Sequence, residues 1–169
     1  MQTVIMMFLL VLGGLLQSLI PAMAWIGLSK PPVLLAVVLY FALTHPRGMA
    51  LIAAIVAGII QDSLSLFPIG YSSLCFVVFV VVLVRTRETL FRDSLFTVAV
   101  LGAVLAALAT LSLYLMLRVN ALVVSLPAWW VGLKMGGNAL LGLVSAPAVW
   151  WLASALERHV GVAAEREAH

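Results

Sequence analysis

The stretch Gly58-Ile59-Ile60-Gln61-Asp62-Ser63-Leu64-Ser65-Leu66-Phe67-Pro68-Ile69-Gly70 decides how this chain folds. It separates two apolar runs, each nearly long enough to cross a bilayer. It also holds Asp62, the sole carboxylate among the first 87 residues. A charge beside that much hydrocarbon is costly on every insertion scale, so local groups must stabilise Asp62 or the position must have a use. Pro68 stops a helix and Gly70 accepts dihedrals closed to other residues, so the chain can turn sharply there. The stretch reads as a helical hairpin with a polar residue near its apex.

Composition sets the class around this hairpin. The chain is 65% hydrophobic and 9% charged, with mean hydropathy +1.24, against about 45–50% apolar and about 25% charged in soluble domains. A water-soluble domain of 169 residues buries only about two-thirds of its surface and could not hide this much apolar area. An integral membrane protein with one helical bundle is expected, with a domain over 1–156 and a short charged tail over 157–169. The nine basic residues are scattered between apolar runs, so they form no stripe for nucleic-acid phosphates. Cys75 stands alone in an apolar run, which excludes a disulfide framework and reads as a small core hydrophobe. No cofactor or metal is expected.

Outward from residues 58–70, hydropathy divides the chain into six candidate spans. Met1 to Ile20 has the length of a span and lacks the basic start of a secretion signal, although Ala22-Met23-Ala24 resembles a cleavage site. Pro31-Pro32 opens Val33 to Leu43, a run too short to span without tilting, borrowing flanking residues or being shielded by neighbours. Thr44 to Gly48 is a polar turn carrying Arg47, and the third helix starts near Met49 and ends about Asp62, or Leu66 if it fills the core. Gly70 to Val84 reads as helix because a lone strand in lipid would leave its backbone unpaired. The fifth runs about Leu95 to Leu117, with Gly102 and Ala106 as a small-x-x-x-small pair, and the sixth starts at Pro127.

The last helix carries Trp129-Trp130 and Trp150-Trp151. Pairs 21 residues apart span about 31 Å at helical rise, the thickness between two interfacial aromatic belts. Gly132, Gly136, Gly137 and Gly142 between them are expected to pack against a neighbouring helix, with Asn138 as an internal polar group, and the tail from Glu157 to His169 to fray. Six spans put both termini on one side. With Arg47, Arg85, Arg87, Arg92, Arg158 and Arg166 on one face and Lys30, Arg118 and Lys134 on the other, the basic bias makes the termini cytoplasmic. Asp62 then faces outside. Capping the next segment, wetting at the interface, facing a partner protein and pairing with Lys134 are all open to it.

The inventory argues against an enzyme. His45, His159 and His169 fall on the face opposite Asp62, and no metalloprotease, phosphate-loop or paired-carboxylate pattern is present in the sequence. No chain of ionisable residues crosses the membrane, which argues against a pump or channel.

The Pro46-Arg47 turn, Gly58-x-x-x-Asp62 and Pro68-x-Gly70 before an apolar helix resemble the MreD family of rod shape-determining proteins. Size and six-helix layout agree over most of the chain. The resemblance implies a non-enzymatic scaffold in the bacterial inner membrane. Its implied partners are MreC and, through it, MreB and the peptidoglycan synthase RodA/PBP2. It also implies a fold similar to the substrate-binding subunits of energy-coupling-factor transporters. Arg47, Gly58, Gln61, Asp62, Pro68 and Gly70 form the polar motif for partner binding or structure. The alternative function is a vitamin-importer subunit with a pocket among Gln61, Asp62, Tyr71, Ser72, Asn138 and the Trp129-Trp130 pair. Short outer loops argue against such a small-molecule ligand.

Overall fold

A helix apolar on every face has to be surrounded, and Val33 to Leu43 is such a helix. In a computed structural model, which describes residues 2–21, 29–65, 70–86, 94–119 and 128–167, every residue from Val33 to Leu43 is buried. Six helices make up the fold among the described residues: α1 (Gln2–Leu19), α2 (Val33–Thr44), α3 (Arg47–Ser63), α4 (Tyr71–Thr86), α5 (Leu95–Val119) and α6 (Ala128–Glu167). α2 touches each of the others and forms the axis of the bundle. At 12 residues it rises only about 18 Å, and its neighbours shield it along its whole length.

Hydrogen bonds near the helix ends establish direction. Gln17 near the end of α1 bonds both Leu34 at the start of α2 and Gln61 at the end of α3. Asp62 bonds the start of α4, Tyr71 reaches Ser112 late in α5, and Asn138 early in α6 reaches Thr110. Consecutive helices therefore alternate in direction. At the opposite end, Tyr40 donates to Glu157 (2.7 Å) and His45 Nε2 lies 3.3 Å from the same carboxylate.

Small residues set the closest approaches. Buried Ala50, Ala53, Ala54, Ala57 and Gly58 line one face of α3, so α4 comes down to backbone contact. α5 and α6 meet where a Cβ on Gly102 would fall 2.4 Å from Ala146 Cβ, and one on Gly142 would fall 2.6 Å from the Gly102 carbonyl oxygen. Ala106 completes this contact, as the small-x-x-x-small pair leads one to expect. The partner glycine is Gly142. Gly132 and Gly136 are exposed with nothing around them, against the packing role expected of them, while Gly137 is buried.

α6 also departs from expectation in length. It continues unbroken through the 156/157 boundary to Glu167, and Glu157 is fixed to α2 rather than fraying. Trp129 and Trp151 are exposed on this helix, whereas Trp150 packs edge-on against Tyr40 and Trp130 against Trp129. Among the described residues two helices, Leu95–Met116 and Trp129–Arg158, are long and apolar enough to cross a membrane. Thr3–Leu19, Val33–Thr44 and Tyr71–Thr86 are apolar but shorter. Outward faces are apolar too: Val4, Phe8, Val11, Leu15 and Leu19 form an exposed stripe along α1.

Candidate functional site

The end of the bundle where α1, α3 and α5 finish and α2, α4 and α6 begin gathers most of its internal polar groups. Asp62 is the most constrained of them. It is 1% exposed, its Oδ2 accepts from the Gly70 backbone N–H (2.6 Å), and its Oδ1 accepts from that of Ser72 (3.1 Å). The first N–H groups of a helix have no intrahelical partner and carry the positive end of its dipole. A carboxylate from α3 thus caps α4, and both of its oxygens are used. The cap, not a pairing with Lys134, is what settles this charge.

The spacing Gly58-x-x-x-Asp62 follows from that geometry. Residues four apart share a helix face, and this face meets the first turns of α4. A Cβ on Gly58 would fall 2.2 Å from Ser73 Cα and 2.3 Å from Ser73 N, so glycine alone permits the approach. Ser73 Oγ donates to the Ile55 carbonyl (3.1 Å) one turn earlier. Gly70, at φ +106°, holds the left-handed conformation that brings its N–H onto Asp62.

A second polar layer lies beside this cap. Gln17, 7% exposed, donates through Nε2 to Gln61 Oε1 (2.7 Å) and accepts the Leu34 N–H on Oε1 (3.3 Å). Thr110 gives its hydroxyl proton to the Ala106 carbonyl (2.8 Å), so its oxygen accepts the Asn138 amide N–H (2.7 Å). That fixes the orientation of the Asn138 amide and leaves its buried Oδ1 with no donor among the described residues. Tyr71 donates to the Ser112 carbonyl at 2.5 Å. Between these groups lies a cavity of about 650 Å³, within the roughly 300–1,000 Å³ of small-molecule sites. Gln61, Tyr71, Ser72 and Asn138 line it, together with Lys30 and Lys134.

A family model described as rod shape-determining protein MreD matches residues 1–141. The chain belongs to the MreD family. No curated protein and no solved structure matches it. Rod shape determination is therefore the setting of this MreD-family chain, in a family of bacterial membrane proteins.

Not all the expected site residues meet. Gly58, Gln61, Asp62 and Gly70 converge, and Asn138 faces the same cavity. Arg47 is exposed at the far end of α3, beside the His45–Glu157 contact in sequence but a helix length from Asp62. Pro68 lies outside the described residues. Cys75 packs against the core and also lines the cavity. Sequence reading missed the joining role of Gln17, for which the signal was a glutamine two residues before a helix end with no charged neighbour. It also missed Thr110 and the Tyr40–Glu157 bond, which no local pattern announces.

Proposed function

We propose that this chain is a non-enzymatic scaffold of the bacterial cell-elongation machinery, spanning the inner membrane six times with both termini cytoplasmic. It binds an MreC-like bitopic protein and helps couple it to MreB and to RodA/PBP2. Membership of the MreD family over residues 1–141 carries this reading. Three features add support. Consecutive helices alternate in direction, as six spans require. The outward faces are apolar, and helix packing in lipid relies on such faces meeting small residues of a partner. Arg47, Arg85 and Arg158 are exposed at the end remote from the cavity, which under the positive-inside rule faces the cytosol.

Co-expression with the MreC-like partner, gentle detergent extraction and purification through a tag on this chain test the proposal. A stable complex with that partner is expected. A folded chain that emerges without it would overturn the scaffold role.

The cavity favours a second reading, the substrate-binding subunit of a small-molecule importer. There the purified protein would carry a bound vitamin-sized molecule and would depend on transporter subunits rather than on a bitopic partner.

A further inference from the structure

From the cavity we infer that this chain binds an anionic amphiphile, a molecule with a phosphate-class head, a hydroxyl or N–H donor beside it, and an apolar body. The charge follows from what lines the cavity. Lys30 and Lys134 are both exposed at its mouth, and among the described residues no carboxylate lines it. Asp62, the nearest acid in sequence, is turned away into the α4 cap with both oxygens occupied. Among the described residues neither lysine has an acidic partner. Two unpaired ammonium groups over a low-dielectric wall concentrate positive potential and draw an anion.

The donor follows from Asn138. Thr110 fixes its amide so that Oδ1 is buried with no hydrogen-bond donor among the described residues, a state that costs free energy until something donates to it. Gln61, its oxygen already taken by Gln17, has an amide N–H reaching only a distant Ser65 hydroxyl at 3.5 Å, so it can turn to an incoming oxygen. The apolar body follows from Phe76 on α4 and Leu113 on α5, which line the same cavity. Apart from the Tyr71–Ser112 hydrogen bond these two helices meet little, unlike the tightly packed α3–α4 and α5–α6 pairs. The space between them therefore offers an alkyl chain a way in from the side.

Such a head belongs to an anionic phospholipid of the membrane or to a soluble phosphate ester, and the experiment separates the two. The full chain, purified in neutral detergent, is titrated with phosphatidylglycerol, phosphatidylcholine and glycerol 3-phosphate, and bound ligand is counted by native mass spectrometry. One phosphatidylglycerol per chain is expected, retained in preference to phosphatidylcholine. The Lys30→Gln/Lys134→Gln variant should bind it about tenfold more weakly, the loss of one charge-assisted hydrogen bond's worth of affinity. Asn138→Asp, which adds a negative charge in the wall, should also weaken it.

If glycerol 3-phosphate does not displace the lipid, the membrane is the source. If it displaces the lipid at matching concentration, the apolar body adds nothing, the site serves a soluble ester and the amphiphile is overturned. Both lysines are exposed and unpaired, so the double variant should melt with the wild type; should it melt early, Lys134→Gln alone carries the comparison. No bound phosphatidylglycerol, equal retention of both lipids, or a variant that binds as well as the wild type would overturn the site.

Discussion

At the scale of single residues, Gly58 and Asp62 make one device with two parts. Gly58 lets two backbones touch, and Asp62 then reaches the unpaired N–H groups of α4. Gly58→Ala has nowhere to put its methyl group except into the Ser73 backbone, so the hairpin must part, at about 3 kcal/mol. A heat ramp in detergent read by size-exclusion chromatography should show the loss, with Gly132→Ala, where space is open, as the unchanged control. Equal melting of both variants would mean that α3 and α4 are not in backbone contact. Asp62→Asn keeps one acceptor but turns an amide N–H toward a backbone N–H, for about 1–3 kcal/mol, and Asp62→Leu orphans both donors for roughly twice that. If Asp62→Leu melts with the wild type, the cap is not what holds this carboxylate. The spacing of glycine and acid was legible in the sequence; the choice of cap over ion pair was not, because only packing brings the α4 N-terminus onto Asp62 and leaves Lys134 elsewhere.

Among elements, the pairings were harder to read than the helices themselves. Hydropathy located the first five to within a few residues and the start of the sixth, though not its end, yet glycines in α6 looked alike until α5 was set beside them. Gly142 lies on the contacting face, while Gly132 and Gly136 do not. Gly142→Leu is expected to force α5 and α6 apart, at about 1–3 kcal/mol, and to lower recovery of monodisperse protein, while Gly136→Leu should purify normally. Matching behaviour of the two would refute the Gly102–Gly142 crossing. Tyr40→Phe removes the bond from α2 to Glu157. The expected cost is about 1 kcal/mol, modest because Glu157 is partly exposed. Truncation before Glu157 should reproduce that loss, and a truncated chain as stable as the full one would show that the end of α6 contributes nothing.

The whole molecule has two unlike ends, and a topology experiment reads them directly. With Cys75 replaced, single cysteines at Ser18 or Lys134 should label from outside intact cells, and cysteines at Arg47 or Arg85 only after permeabilisation. The reverse pattern would invert the orientation, and labelling of both sets from one side would break the six-span layout. Composition by itself determined the solvent, since no soluble fold of this size could bury so many apolar side chains. Apolar periods and prolines likewise determined the helices, because in lipid each segment must satisfy its own backbone. Only the tertiary structure decided that α2 is the axis, that Asp62 caps rather than pairs, and that polar groups from five helices enclose a cavity. Those outcomes depend on contacts between residues as distant as Gln17 and Gln61 or Thr110 and Asn138, and side-chain packing, which carries no local period, is what brings them together.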